Sequence, residues 1–200
     1  MRRTKVLRAD KKNIKYAAAE LRKGALVAFP TETVYGLGAN VLNKRAVERL
    51  YRVKRRPRTK PFAILITDRN AIRKAGCQVT ENAKRLMDKF WPGPLTMIFE
   101  GRRGEKIGFR MPDNKIALSL IKSSGVPVAC PSANVSGSQA PTTAEEVLEG
   151  LDGKIDLVLD GGAAAIGVES TVVDLTAPRL RILREGAIKK EEVLRVIENE

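Results

Sequence analysis

The chain has 200 residues and a net charge of +14. Residues 1–60 hold 18 Lys/Arg against 4 Asp/Glu, and the rest of the chain sums to zero. The length suits one domain, residues 1–200, with a substantial core. The absence of histidine excludes a Ser-His-Asp triad, a His-ligated zinc site and a His general base.

The longest apolar runs are strand-sized, so no bilayer-spanning helix is expected. The start, MRRTKVLRADKK, lacks the apolar core of a secretory leader. Cys77 and Cys130 have no metal or redox spacing and read as two reduced thiols of a cytoplasmic protein. Six basic residues in YRVKRRPRTK (51–60) repel one another unless a polyanion, RNA or nucleotide phosphate, is expected nearby.

In chain order, Ile14, Ala17, Ala18 and Leu21 predict a helix over 13–23, ended by Gly24. ALVAF (25–29) reads as a buried strand and PTETVYGLGAN (30–40) as a polar loop after it. Ala46, Val47, Leu50, Tyr51 and Val53 predict a second helix, stopped before Pro57. FAILI (62–66) is a strand, 68–75 and 80–90 are helical, and LTMIF (95–99) is a strand. Asp113 is the expected cap of a helix running to about Ser123, followed by a strand at VPVA (126–129). Thr143 and Glu146 form a capping box for a helix over 144–150. IDLVLD, STVVDL and LRILR read as strands, and 189–198 as a closing helix. This alternation predicts an α/β fold, a mixed sheet flanked by helices with ligand loops at strand ends.

Chemistry concentrates in those loops. KRRPRTKP (54–61) presents cations, PSANVSGSQAPT (131–142) presents hydroxyls and amides, and GVESTVVD (167–174) places Ser170 and Thr171 at a strand start. GFRMP (108–112) and ILREG (182–186) end strands with Arg110 and Arg184. Hydroxyls, amides and Arg forks orient carboxylates, amines and phosphates. GLGAN is neither a dinucleotide fingerprint nor a Walker loop. In FWPGPLTMIF, Trp91 reads as a core anchor and Pro-Gly-Pro as a rigid turn.

Taken in order, PTETVYGLGAN, K-x-R-P (Lys54, Arg56, Pro57), FWPGPLT, GFRMP, PSANVSG, ESTVVD and ILREG resemble the YrdC-like family of L-threonylcarbamoyladenylate synthases, from about residue 13 to 190. The resemblance implies the short, catalytic-domain-only form, a twisted mixed sheet and a large positively charged cavity. The implied reaction joins L-threonine, bicarbonate or CO2 and ATP into threonylcarbamoyl-AMP and diphosphate. A downstream transferase then modifies adenosine 37 of tRNAs that read ANN codons.

Carried over by motif, Thr33, Arg110, Ser132 and Ser170 hold L-threonine. Lys54, Arg56, Asn134, Thr142 and Arg184 hold ATP, with Lys60 also in reach of phosphate. Lys54, Arg56, Ser132 and Asn134 are the implied catalytic set. Mg²⁺ is expected through the ATP phosphates, with no protein metal cluster. Tyr35 and Glu32 are expected to shape their loop. The chain departs from the family pattern K-x-R-P-x-x-N-P-L-x-x-H: Lys60 replaces Asn, Pro61-Phe62 replaces Pro-Leu, and Leu65 replaces a His that lies near the threonine in the family. The alternative is a non-catalytic RNA-binding module using the basic residues 1–60. It leaves the hydroxyl loops of 131–175 unexplained, and nine scattered aromatics offer no stacking platform.

Overall fold

The computed structural model describes residues 3–198; Arg2 of the basic first third lies outside them. Ten strands form one mixed sheet in the order β1-β8-β2-β3-β7-β4-β6-β5-β9-β10. They are β1 (Lys5–Arg8), β2 (Val27–Pro30), β3 (Tyr35–Asn40), β4 (Ile64–Leu65), β5 (Leu95–Glu100), β6 (Lys106–Arg110), β7 (Val128–Ala129), β8 (Leu157–Asp160), β9 (Thr171–Asp174) and β10 (Arg181–Arg184). The sheet combines parallel pairs (β1–β8, β2–β8, β4–β6, β5–β9) with antiparallel ones (β2–β3, β3–β7, β4–β7, β5–β6, β9–β10). The mixed sheet predicted from the alternation of periodicities is present.

Helix α1 (Lys11–Lys23) starts where Asp10 accepts from Asn13 N at 2.8 Å and ends at Gly24 in the left-handed region. It packs with α5 (Lys115–Ser124) on one face of the sheet, around Leu21, Phe29, Leu120 and Leu159. On the other face, α2 (Lys44–Lys54) and α6 (Ala144–Leu151) close over Leu26, Leu37 and Val158. A third cluster joins α3 (Asn70–Lys74), α4 (Glu81–Phe90) and α7 (Lys190–Glu198) to β5, β6 and β9. It includes Trp91, whose indole donates to Leu95 O at 2.6 Å.

Several expectations need correction. Half of the supposed loop 30–40 is β3, fully buried between β2 and β7. The FAILI strand shrinks to Ile64–Leu65 and VPVA to Val128–Ala129. The cap of α5 is Asn114, whose Oδ1 accepts from Ile116 N and Ala117 N, rather than Asp113. Thr143 caps α6 as expected, yet the Glu146 carboxylate reaches back to the amide and hydroxyl of Thr142. Strand β1 carries no strand signature in the sequence because it is an edge strand with exposed basic residues and little alternation.

Strand alternation positions the site. In β5, β6 and β9, residues Leu95, Met97, Phe99, Phe109 and Val173 face the α4/α7 core. Their alternates Thr96, Ile98, Lys106, Gly108, Arg110, Val172 and Asp174 form the floor of a cavity on the opposite face.

Candidate active site

That cavity has a volume of about 980 Å³. Its lining includes five cationic side chains (Arg56, Lys60, Lys106, Arg110, Arg184) and two carboxylates (Glu169, Asp174). Of the residues singled out in the sequence, Thr33, Arg56, Lys60, Arg110, Ser132, Ser170 and Arg184 line it, as does Leu65.

Backbone pairing brings the two hydroxyl-rich loops together. Leu37 N donates to Pro131 O at 2.8 Å, Ala133 N to Tyr35 O at 2.8 Å, and Gly36 bridges to Ser132. Gly36 is required for this approach, since a Cβ there would lie 2.4 Å from Cys130 Sγ. Burial pushes the Cys130 thiol up to about 12, so it stays protonated at neutral pH. Tyr35 anchors a third loop: its hydroxyl donates to Gly162 O at 2.8 Å and accepts from Gly161 N at 3.3 Å. Ile166 N and Gly167 N donate to the carbonyls of Glu32 and Thr33, both at 2.9 Å, so residues 161–167 run along the PTET segment.

At one end of the cavity Arg110 is held from three sides. Its Nη2 donates to Thr33 Oγ1 at 2.9 Å and lies 2.8 Å from Glu32 Oε1, and its Nε donates to Gly93 O at 3.3 Å. Thr33 and Thr31 share a hydrogen bond between hydroxyls at 2.9 Å. Ser170 shares one with Thr96 at 2.9 Å and accepts from Arg184 Nη2. Arg184 also donates twice to Ser170 O and pairs with Glu169 Oε1 at 2.9 Å. This end offers an Arg fork and the four hydroxyls of Thr31, Thr33, Thr96 and Ser170 within a small space, the chemistry that orients a hydroxy amino acid.

At the other end stands the C-terminus of α2. Ala46, Leu50 and Lys54 share its buried face at a spacing of four, so the apolar stripe that docks the helix carries Lys54 inward with it. Lys54 is 2% exposed. Its Nζ donates to Ser132 O at 2.5 Å and to Asn134 Oδ1 at 3.1 Å. Burial, followed by the nearby charge of Arg56, lowers its pKa to about 8. Arg56 is stacked over the Phe62 ring, 5.1 Å from its centroid, and donates to Lys60 O and Pro61 O, which shapes the 57–61 loop.

Three expected site residues do not reach the cavity wall. Lys54 and Asn134 sit behind Ser132, with the Asn134 amide turned to Val135 O and Ser138 O. Thr142 donates to Glu146 at 3.0 Å at the start of α6. Conversely, no motif in the sequence marks Lys106, which pairs with Asp174 at 2.8 Å on the cavity floor. Thr96 lies inside the otherwise apolar run of β5. Its polar place in the LTMIF alternation was the available signal.

The family model Sua5/YciO/YrdC, described as "Telomere recombination", matches residues 19–186. The chain belongs to this family. The threonylcarbamoyl-AMP synthase of Bacillus subtilis is 44% identical over 204 residues, covering 97% of this chain and 59% of that protein. The crystal structure of Pyrococcus abyssi Sua5 complexed with L-threonine matches with a TM-score of 0.90 at 42% identity, over 98% of this chain and 60% of that one. Escherichia coli YciO matches with a TM-score of 0.83 at 29% identity, over 96% of this chain and 100% of that one. The chain thus spans about three fifths of the length of the first two. These Sua5/YciO/YrdC structures share the mixed sheet flanked by helices described above. Among the described residues no helix is long and apolar enough to cross a membrane.

Proposed function

We propose that this domain makes threonylcarbamoyl-AMP from L-threonine, bicarbonate or CO2 and ATP, releasing diphosphate. One observation carries the reading. A single cavity joins an Arg–hydroxyl cluster (Arg110, Thr33, Ser170) suited to an amino acid with a cationic end (Arg56, Lys60, and Lys54 behind Ser132) suited to a polyphosphate. The relatives' name and the threonine complex of the 42% identical Sua5 support it.

In this reading the Arg110 guanidinium takes the threonine carboxylate, and Thr33, Ser132 and Ser170 surround its hydroxyl and amine. The neutral amine adds to CO2, releasing one proton and giving a carbamate. A carbamate oxygen then attacks the α-phosphorus of ATP, and the bond from that phosphorus to the bridging oxygen breaks as diphosphate leaves. Lys54, Arg56 and Lys60 face the charge that moves to the leaving group, so positioning and electrostatics do the work that no histidine is present to do. No group of three or more His, Cys, Asp or Glu side chains able to hold a metal occurs among the described residues. The carboxylates lining the cavity are each tied to a cation. That donor set does not fit a dedicated protein metal site; the ATP phosphates would hold Mg²⁺, which would offset their charge. The product's mixed anhydride suits consumption by a transferase that threonylcarbamoylates adenosine 37 of ANN-reading tRNAs.

The test is diphosphate release with ATP, Mg²⁺ and bicarbonate, with and without L-threonine, for wild type and Arg56→Ala. Release should require both threonine and bicarbonate. The variant should lose on the order of 2–4 kcal/mol of transition-state stabilisation, roughly 30- to 1,000-fold in rate. Release that ignores threonine, or none at all, overturns the reading.

The alternative, RNA binding, has one specific observation in its favour. Arg49, Arg52, Arg55 and Lys154 ring a groove of about 340 Å³ on the outer side of α2, away from the cavity. Salt-sensitive RNA binding without turnover would select it.

A further inference from the structure

The cations of the cavity divide into two kinds. Arg110, Arg184 and Lys106, all carried by sheet strands, each have a carboxylate partner: Glu32, Glu169 and Asp174 at 2.8, 2.9 and 2.8 Å. Arg56 and Lys60 at the α2 end, and Lys54 behind Ser132, form no salt bridge among the described residues; Lys54 and Arg56 donate instead to carbonyl, amide and hydroxyl oxygens. Of the three carboxylates, Glu32 is the unusual one. It is 8% exposed, both of its oxygens are shielded, and neither accepts an aligned hydrogen bond among the described residues. Its one partner is the Arg110 guanidinium, held by charge at 2.8 Å. A buried carboxylate left so bare is costly to keep, and a glutamine or an apolar residue would spare the fold that cost.

We propose that Glu32 is a specificity residue: by neutralising Arg110 from behind, it keeps the amino-acid end of the cavity open to a zwitterion and closed to phosphate. With the threonine and ATP ends as proposed above, on which this inference rests, the design carries a hazard. A cavity with cations at both ends would let ATP bind by its phosphates at either, and the wrong placement would block threonine. An unpaired Arg110 flanked by hydroxyls is itself a good phosphate site. Pairing it with Glu32 brings the local net charge to zero. An incoming phosphate dianion then gains little, whereas threonine brings an ammonium to offset its own carboxylate. The α2 cations, uncompensated, remain the place where multiply charged phosphate is favoured. Discrimination comes from a repulsive element built against the wrong ligand. Glu32 does not line the cavity, so it acts through Arg110 as a positioning and charge-setting residue.

The test uses inorganic phosphate as the probe and follows threonylcarbamoyl-AMP by chromatography. In the wild type, phosphate should compete with ATP and should not compete with L-threonine. Competition with threonine in the wild type overturns the proposal without any variant. In Glu32→Gln, which keeps shape and removes charge, phosphate should become a competitor of threonine, with its inhibition constant against threonine falling by about tenfold or more. In Glu32→Asp, which keeps the charge on a shorter arm, phosphate should stay excluded even where the KM for threonine rises. A merely structural role would raise the KM in both variants and leave phosphate inhibition unmoved, and that result overturns the proposal. Wild-type protein that neither turns over nor binds threonine would instead sink the synthase reading itself, a failure distinct from all of these.

Discussion

Lys54 and Asn134 are joined by a 3.1 Å hydrogen bond, the lysine from the last turn of α2 and the asparagine from the 131–142 loop. The same ammonium donates to Ser132 O, and Ser136 N returns a bond to Lys54 O at 2.9 Å. One buried cation therefore both ties the loop to the helix and stands behind Ser132 at the α2 end of the cavity. Burial lowers its pKa from the ordinary 10.5 to about 8. That gap corresponds to roughly 3 kcal/mol. Below pH 8 both folded and unfolded chains carry the proton, and folding bears the whole cost of burying the charge. Between pH 8 and 10.5 the folded state sheds its proton first, so stability rises with pH across that window. Denaturant midpoints from pH 7 to 9.5 should show this rise in wild type and not in Lys54→Met. The variant's stability near pH 7 should lie within about 2 kcal/mol of wild type, because the two orphaned acceptors offset the relief of charge burial. ATP binding near pH 8.5 should take up a proton, read as a dependence of binding heat on buffer ionisation enthalpy.

Gly36 and Cys130 form a second coupled pair. A Cβ at 36 would meet the Cys130 sulfur at 2.4 Å, and the contact lies at the bridge that seats Ser132. Gly36→Ala should cost about 1–3 kcal/mol by overpacking. Adding Cys130→Gly should recover much of that loss, a non-additivity that a double-mutant cycle by chemical denaturation would measure. With no sulfur to displace, threonine binding should recover along with stability.

Tyr35→Phe isolates the anchor of the 161–167 loop. The change removes the donor to Gly162 O and the acceptor for Gly161 N while keeping the buried ring. The expected loss is about 1–2 kcal/mol. Hydrogen exchange should rise selectively in residues 161–167. Thr33 is held from that loop through Gly167 N, so the KM for threonine should rise more than kcat falls.

The sequence showed the helices well because their signals are local: Asp10 and Gly24 bracket α1, and Thr143 caps α6. It also showed the loops that meet at the cavity, since PTET and PSAN each carry more hydroxyls than a turn needs. What it hid was decided by tertiary packing. Tyr35–Asn40 has glycines at 36 and 38 and none of the β-branched residues that mark a strand. It is a strand because β2 and β7 close on it from both sides, so tightly that a Cβ at Gly38 would lie 2.8 Å from Phe29. The pairing of Arg110 with Glu32, and of Lys106 with Asp174, joins residues 78 and 68 positions apart, and no local pattern encodes either.

Arg184 separates two roles that motif order alone cannot. By resemblance it belongs to ATP, yet its guanidinium is occupied by Glu169 and by the carbonyl and hydroxyl of Ser170. Ser170 in turn shares a hydrogen bond with Thr96 in the cavity wall, at the end proposed for threonine. Removing the side chain as Arg184→Ala should therefore loosen Ser170 first and leave Glu169 without its cation. A like charge then faces the phosphates, and its long-range pull on Lys54 and Arg56 strengthens. The expected outcome is a rise of about tenfold in the KM for threonine, with a smaller rise in the KM for ATP. Steady-state kinetics with each substrate varied in turn would decide it. A selective effect on ATP would mean that Arg184 leaves Ser170 and Glu169 when nucleotide binds. With the threonine effect expected here, Arg184→Lys, which keeps the charge and loses the fork that grips Ser170, should behave like wild type toward ATP and like the alanine variant toward threonine.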